Sequence, residues 1–319
     1  MMMAKLNLRN QSTIASRIEI SGIGVHGGQP VSMTLHPSES NTGIVFSRTD
    51  LSPEVSGDIK ASHEYVVATE LCTVVGTSKE NSVATIEHLM AALTGMAIDN
   101  VLIEIDGPEV PVMDGSSIAF VEAISQVGTK TLAAPRRYLE VLKPVRVEQG
   151  LSHATLSPHD GTRFDTTIEF DTNLIGVQEI KVELTADTFS KELARARTFG
   201  RVEDVEKLWA LGYARGSSLE NSVAIAGDRV LNPEGTRWPD EFVRHKALDA
   251  VGDLALAGFP ILGEYKSHRG GHKVNAMMVK ALMEDRSAWR IVEDAPQRSK
   301  GHAALSPAFV QPAFDAAKD

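Results

Sequence analysis

The sequence predicts an α+β fold made of two similar α/β-sandwich units, an internal duplication with the active site between the copies. Residues 31–46 (VSMTLHPSESNTGIVF) and 152–170 (SHATLSPHDGTRFDTTIEF) share one order of alternating strand, proline turn, polar loop and second strand. Residues 85–105 and 244–265 each predict a helix, then a glycine break, then a strand. Two copies of one unit, packed against each other, account for both matches.

The boundary between the units is predicted in a stretch of small residues and proline at residues 127–137 (VGTKTLAAPRR). We therefore expect a first α+β unit over residues 1–130 and a second unit, with a C-terminal tail, over residues 131–319. A chain of 319 residues is long enough for two domains of ordinary size. A site at their interface would receive one helix from each unit.

Composition limits the classes of function. The net charge of −10 and an aromatic content of 5% argue against a nucleic-acid-binding surface. A single cysteine excludes a disulfide within the chain and a cysteine-rich zinc module. No segment approaches the ~20 apolar residues of a membrane span, and the N-terminus lacks a signal-peptide pattern. We expect a cytoplasmic monomer without stable membrane insertion, acting on a small molecule.

Residues 241–258 (EFVRHKALDAVGDLALAG) predict a buried helix that carries an unusual polar stripe. Apolar residues cover most of its circumference, and Gly258 with the following proline ends it. At about 100° per residue, His245, Asp249 and Asp253 fall on one narrow stripe with Lys246 beside it. Burial of these ionisable groups is costly unless they are paired or hold a metal.

A metal site would combine this helix with its counterpart in the first unit. His245 and Asp249 are four residues apart, which points both side chains at one position, and His88 stands at the start of the first helix. Two histidines and one carboxylate are a usual catalytic zinc set with a fourth position for water. Glu87, next to a ligand, is placed to take the proton of that water.

A leaving amine also needs a proton, and His272 in HRGGHKVN is the candidate donor. Asp253 would bind its other ring nitrogen and hold it as an imidazolium, and Lys246 would add a fixed positive charge. Simpler interpretations stay open at this point. His88 is compatible with a helix cap, His245 and Asp249 with an ordinary i,i+4 pair, and the glycines before His272 with a turn.

Several long motifs together resemble one enzyme family. IEHLMAAL, DEFVRHKALDAVGDL and GGHKVN are similar to the bacterial UDP-3-O-acyl-N-acetylglucosamine deacetylases, the LpxC family of lipid A synthesis. SGIGVHGGQPV, TELCTVVG, IDNVLIEIDGPEVPVMDGSS, ARARTFG and GDRVLNPEG extend the similarity over nearly the whole chain. The combination of EHL with RHKxLDxxGDL is far more specific than a lone metal motif.

The resemblance implies zinc, with Fe²⁺ as the other suitable metal, on two histidines and one aspartate. It implies the following residues for that site: metal ligands His88, His245 and Asp249; general base Glu87; general acid His272 supported by Asp253; oxyanion contact Thr198; and Lys246 near the metal and the phosphates of the substrate. The implied reaction is hydrolysis of the 2-acetamido group, which releases acetate and a free amine.

The resemblance also implies residues that contact the substrate. The resemblance implies that Phe170 stacks on uracil, and we assign Phe199 and Cys72 to the same substrate-binding set. A lone cysteine is often a small buried residue, which is the competing interpretation of Cys72. Arg269, with Lys246 and Lys273, would supply the local positive field that an acidic chain otherwise lacks.

Three positions depart from the family pattern. Ser152 stands where the family usually has a lysine that contacts the phosphates, Arg201 replaces a second aromatic residue, and Ser217 interrupts a usual GGS. All three bear on substrate binding rather than on the chemistry. They motivate two alternatives: a paralogous zinc amidase for a different acylated amino sugar, and a catalytically weak, zinc-containing regulatory homologue.

Overall fold

The computed structural model describes residues 10–293, which form strands and helices in an α+β arrangement. The elements of the first half are β1 (Asn10–Ile14), β2 (Ile18–Ile23), β3 (Pro30–Pro37), β4 (Ile44–Arg48), β5 (Ile59–Lys60), β6 (Val66–Ala68), β7 (Val74–Gly76), β8 (Ser82–Val83), α1 (Glu87–Gly95), β9 (Val101–Ile105) and α2 (Ile118–Val127). Those of the second half are β10 (Thr129–Pro135), β11 (Tyr138–Val141), β12 (Val145–Gln149), β13 (Ser152–Ser157), β14 (Thr162–Glu169), β15 (Val177–Glu183), α3 (Ala186–Thr188), β16 (Phe199–Arg201), α4 (Val202–Ala210), β17 (Val223–Ala226), β18 (Arg229–Val230), α5 (Glu241–Leu254), β19 (Ile261–His268), α6 (His272–Glu284) and β20 (Trp289–Val292).

The two main sheets repeat one topology. In the first, the strand order is β2-β3-β9-β4-β5, with β4 and β9 parallel and the other pairs antiparallel. In the second, β12-β13-β19-β14-β15 follows the same order, with β14 and β19 parallel. The expected internal duplication is therefore confirmed, and the segments matched in the sequence occupy equivalent strands. Strands β11 and β20 extend the second sheet beside β19.

The segment between the halves is itself structured. Strand β10 pairs antiparallel with β1, so that Asn10 lies opposite Pro135 and Ile14 opposite Thr129. The boundary expected between residues 130 and 131 falls inside β10, and the division at that point stays a prediction. The predicted C-terminal tail lies mostly outside the described residues.

Helices α1 and α5 form the centre of the molecule and belong to one continuous apolar core shared by both halves. The two helices approach each other closely at Gly252, where an added Cβ would lie 2.0 Å from the carbonyl oxygen of Glu87. Only glycine permits this contact, because any side chain would overlap the backbone of α1. Helix α5 is followed by a 3-10 turn, Ala255–Ala257, and ends at Gly258 with φ of 82°, as the sequence predicts.

Replacing Gly252 with alanine should separate the two helices. Overlap of this kind costs roughly 1–3 kcal/mol in a packed core, which urea denaturation of Gly252→Ala will measure. Gly200→Ala is the matched control, because no atom lies within 4 Å of a Cβ at Gly200. Equal stability of the two variants would show that α1 and α5 do not need this contact.

Candidate active site

Three side chains converge where α1 meets α5. His88 comes from the first turn of α1, and His245 and Asp249 lie one turn apart on α5. Nε2 of His88 is 3.5 Å and Nε2 of His245 is 3.3 Å from Oδ1 of Asp249. One potential ligand atom from each residue lies within 4.8 Å of the others, and all three residues are buried. The structure thus brings together the three residues predicted as metal ligands.

The chemistry of this cluster fits a divalent metal. Oδ1 of Asp249 is buried without a hydrogen-bond partner among the described residues, whereas Oδ2 accepts from Nζ of Lys246 at 2.8 Å. Nδ1 of His245 donates to the carbonyl of Ala196 at 3.0 Å, which leaves Nε2 free as an acceptor. Burial lowers the pKa of His245 to about 3, so its ring is neutral. Two imidazole nitrogens and a carboxylate oxygen are suitable ligands for zinc or ferrous iron.

Glu87 and His272 lie beside the cluster. Nε2 of His272 is 3.7 Å from Oε1 of Glu87, and Oε2 of Glu87 accepts from the backbone N–H of Thr73 at 3.0 Å. Burial raises the pKa of Glu87 above its ordinary value. Burial opposes the charge on His272, but the neighbouring Asp253 and Glu87 prevail and raise its pKa to about 9. The pair can therefore hold one proton on the imidazole and accept another on the carboxylate.

Asp253 orients His272 through a saturated set of hydrogen bonds. Its Oδ2 accepts from Nδ1 of His272 at 2.9 Å and from Nδ2 of Asn275 at 2.8 Å. Its Oδ1 accepts from the hydroxyl of Thr73 at 2.6 Å. These bonds fix the ring so that Nε2 faces the cluster. The sequence did not single out Thr73 or Asn275, although Asn275 lies three residues after His272 at the start of α6.

Two further residues were missed in the sequence. The buried carboxylate of Glu109 accepts from the backbone N–H groups of His26 and Gly27, each at 2.9 Å, and from the hydroxyl of Thr85 at 2.9 Å. It thereby ties the loop after β2 to the turn that begins α1. Burial lowers the pKa of His26, with Glu109 and His272 close enough to affect it. No metal-type spacing pointed to either residue.

The aromatic residues predicted to contact substrate lie together beside His245. The ring of Phe199 packs edge-on against Phe170 and Phe242, with centroids 5.7 and 4.9 Å apart, and lies 6.2 Å from the ring of His245. Nζ of Lys246 is 5.7 Å from the centroid of Phe199. Phe170 is partly exposed at the end of β14, so that one side of this aromatic group faces solvent.

The other predicted contacts differ in their surroundings. Arg269 forms an ion pair with Glu169 at 2.9 Å, which reduces the positive field it offers. Cys72 is buried, and burial raises the pKa of its thiol to about 12. Thr198 lies two residues after Ala196, whose carbonyl accepts from His245. The backbone N–H of Thr198 donates to the carbonyl of Gly115 at 2.8 Å. Their roles stay predictions.

A buried ion pair holds the segment before Thr198 against the start of α5. Oε1 of Glu241 accepts from both the backbone N–H and Nε of Arg197, at 3.0 and 2.9 Å. Glu241 is 0% and Arg197 3% exposed. The pair fixes the carbonyl of Ala196 relative to His245, one turn along the helix from Glu241.

Three positions where this chain departs from the family pattern lie outside the cluster. Ser152 begins β13 opposite Gln149, at one end of the second sheet. The guanidinium of Arg201 is half-exposed at the end of β16 and lies 4.0 Å from Glu203. The hydroxyl of Ser217 lies 3.2 Å from that of Ser222.

A duplicated α+β fold whose helix interface combines a buried cluster of two histidines and an aspartate with a neighbouring carboxylate and a His–Asp pair has the features of a hydrolase. Comparison with known sequences identifies one family. The model of the family described as LpxC, UDP-3-O-acyl N-acetylglycosamine deacetylase, matches residues 11–284. The chain belongs to this family.

Individual relatives agree with this assignment. Proteins named UDP-3-O-acyl-N-acetylglucosamine deacetylase from Brucella ovis, Brucella canis and Brucella suis are each 49% identical to this chain over 284 residues. The matched region covers 89% of this chain and 98% of each relative. The similarity therefore includes every element that forms the site.

Removing Glu241 should leave Arg197 buried without its main partner. Loss of one member of a buried ion pair costs about 3–5 kcal/mol, so Glu241→Ala is expected to unfold at much lower urea concentration. The matched control is Glu234→Ala, because Glu234 also pairs with Arg197 but is 55% exposed and should contribute less than about 1 kcal/mol. Similar losses in the two variants would contradict the anchoring role of Glu241.

Proposed function

We propose that this protein hydrolyses the N-acetyl group of a UDP-3-O-acyl-N-acetylglucosamine and releases acetate, a step of lipid A biosynthesis. The observation that carries the proposal is the joint presence of the His88–His245–Asp249 cluster and the family match over residues 11–284. The names of the Brucella relatives support the substrate. The protein is proposed to be a cytoplasmic monomer; no helix within residues 10–293 is both long and apolar enough to cross a membrane.

The proposed metal is zinc, with Fe²⁺ as the alternative, held by His88, His245 and Asp249. When bound there, it would polarise the amide carbonyl and lower the pKa of water. The support for this assignment is the unpartnered Oδ1 of Asp249 and the free Nε2 of His245. The donor set, two imidazole nitrogens and one carboxylate oxygen, matches the chemistry of either ion.

The proton transfers are assigned to two side chains. Glu87 removes a proton from the attacking water, and its pKa, raised by burial, makes it a stronger base than an exposed glutamate. His272 then gives the proton on Nε2 to the nitrogen of the breaking C–N bond. Asp253 keeps the ring oriented and cationic until that transfer. The proton on Glu87 then returns to Nε2 of His272, 3.7 Å away, so that the hydroxyl of the water ends in acetic acid, which ionises to acetate, and one proton ends on the free amine.

Charge on the substrate oxygen is stabilised by neighbouring donors. The hydroxyl of Thr198 is the proposed hydrogen-bond donor to the oxyanion of the tetrahedral intermediate. Lys246 supplies a positive charge that is already in place, since Asp249 holds its Nζ at 2.8 Å. Preorganised groups of this kind act without reorientation during the reaction, which is the source of their effect on rate.

Substrate binding uses the surface around Phe170. The partly exposed ring of Phe170 is proposed to stack on uracil, with Phe199 below it, and Arg269 to lie near the phosphates. The acyl chain is assigned to the segment after Thr198 and the loop near Gly216. Support comes from α4 and the residues that follow it, where Trp209 and Leu211 are exposed apolar side chains that an acyl chain would cover.

Acetate release by metal-quantified protein tests the function, with Glu87→Ala as the key variant. Because a positioned general base contributes about 10²–10⁴-fold to rate, kcat of the variant should fall by a factor within that range while the protein keeps its metal. Glu122→Ala, on the exposed face of α2, is the neutral control. Near-normal turnover by Glu87→Ala would remove it as the base. Absence of turnover by the intact, metallated protein would favour another acylated amino sugar.

Metal content tests the ligand assignment independently of turnover. His245→Ala and Asp249→Ala should each lose stoichiometric metal after dialysis, because each removes one of three ligand atoms. Asp253→Asn is the matched control: it lies one turn further along the same helix and touches no ligand atom, so metal should remain while kcat falls. Stoichiometric metal in both ligand variants, measured by plasma mass spectrometry, would refute the assignment.

A further inference from the structure

One buried threonine contacts both the proposed base and the aspartate that orients the proposed acid. Thr73 directly precedes β7 and is 1% exposed. Its backbone N–H donates to Oε2 of Glu87 at 3.0 Å, and its hydroxyl donates to Oδ1 of Asp253 at 2.6 Å. Its carbonyl accepts from the backbone N–H of Ile86 at 3.4 Å, at the start of α1. Thr73 is therefore held against α1 by its backbone and reaches α5 with its side chain.

The contact with the hydroxyl determines how the carboxylate of Asp253 is turned. Rotation about the Cβ–Cγ bond of an aspartate is soft and roughly two-fold, so its orientation depends on the partners of both oxygens. Oδ2 accepts from His272 and Asn275, whereas Oδ1, within residues 10–293, accepts from Thr73 alone. A carboxylate oxygen left unpartnered in a buried site is costly. Without the hydroxyl, the carboxylate would therefore turn away from the orientation that directs Nε2 of His272 at the cluster.

The contact with the backbone fixes the other partner of the proton transfer. Because Oε2 of Glu87 is occupied by the N–H of Thr73, Oε1 is the oxygen that faces His272, 3.7 Å from its Nε2. Thr73 thus holds Glu87 directly and His272 through Asp253. A misplacement of about 1 Å between reacting groups can cost about 10²-fold in rate, so this shared support bears on turnover.

Threonine combines two properties that this position requires. The hydroxyl provides the donor, and the branched Cβ restricts χ1, so that the donor keeps one direction at little cost in side-chain entropy. Valine has nearly the same shape without the donor, and serine has the donor without the branch. Substitution by these two residues therefore separates the hydrogen bond of Thr73 from its packing.

We propose that Thr73 is a positioning residue: its hydroxyl fixes Asp253, and thereby the ring of His272, relative to Glu87, which its backbone N–H holds. The inference rests on the proposed function, because it concerns the same proton transfers. Thr73 contacts neither the metal ligands nor the substrate in this assignment and acts only through the two carboxylates. Removal of its hydroxyl should therefore lower kcat and leave KM and metal content unchanged.

Isosteric substitution tests the role of the hydroxyl. Thr73→Val should lower kcat about 10–100-fold, the usual effect of removing a group that orients an active-site residue. Thr73→Ser should retain most of the activity, because it keeps the donor. Thr13→Val is the matched control: Thr13 is also 1% exposed, but its hydroxyl accepts from the backbone N–H of Ser38 in another part of the fold. Unchanged kcat in Thr73→Val would overturn the proposal.

A double-mutant cycle distinguishes positioning from a general loosening of the site. Asp253→Ala removes the acceptor of the hydroxyl, so adding Thr73→Val to it should lower kcat by a much smaller factor than in the unaltered protein. Equal factors in the two backgrounds would show that Thr73 acts through packing and not through Asp253. That result would also overturn the proposal.

A measurement without substrate separates failure of this inference from failure of the proposed function. The Nδ1–H of His272, bonded to Asp253 at 2.9 Å, should give a proton signal protected from solvent exchange in metallated protein labelled with ¹⁵N-histidine. Its absence in His272→Gln identifies the signal. The signal should lose protection in Thr73→Val and keep it in Thr73→Ser and Thr13→Val.

The outcomes of this measurement are distinct. Equal protection in Thr73→Val, or no protected signal in the unaltered protein, would overturn the positioning role. Absence of acetate release from the unaltered protein would refute the proposed substrate, whereas loss of the protected signal in Thr73→Val would still establish that the hydroxyl holds Asp253 and His272 in place.

Discussion

The close contact between α1 and α5 is the constraint on which the rest of the site depends. The distance between two packed helices is set by the side chains at their contact, and at Gly252 there is none. The backbone of Glu87 therefore lies directly against α5. Because His88 is on one helix and His245 and Asp249 are on the other, wider spacing would pull the potential ligand atoms beyond the 4.8 Å that now contains them.

Packing the two helices together buries several ionisable groups, and the cost of burying each charge is offset by different partners. Asp253 accepts three hydrogen bonds, and Glu241 is neutralised by Arg197. Within residues 10–293, the carboxylate of Glu87 accepts one hydrogen bond, from the backbone N–H of Thr73, and no lysine or arginine contacts it, so burial raises its pKa. Burial raises the pKa of Glu87, and the neighbouring carboxylates of Asp253 and Glu87 raise the pKa of His272, which supports the proposed division into base and acid.

Features that depend on the spacing of nearby residues or on the order of elements along the chain could be predicted from the sequence. The i,i+4 spacing predicted that His245 and Asp249 share one face of α5, and the order of strands and helix predicted the duplicated sheets. Long-range pairs were not predictable. Arg197 and Glu241 are 44 residues apart and Thr73 and Asp253 are 180 apart, so no periodic pattern connects them. The role of Glu109 could not be predicted either, because two of its three hydrogen-bond partners are backbone N–H groups, which leave no pattern in the sequence.

The two ends of the helix pair pose opposite packing problems. At the end that carries Glu87, polar groups converge and satisfy one another, whereas at the end near Gly95 and Leu254 the two halves leave an apolar cavity. Protein interiors contain few voids larger than a water molecule, because lining atoms without partners forfeit dispersion contacts. Both halves share one continuous core, so the position of the helix pair depends on packing contacts from both halves of the chain.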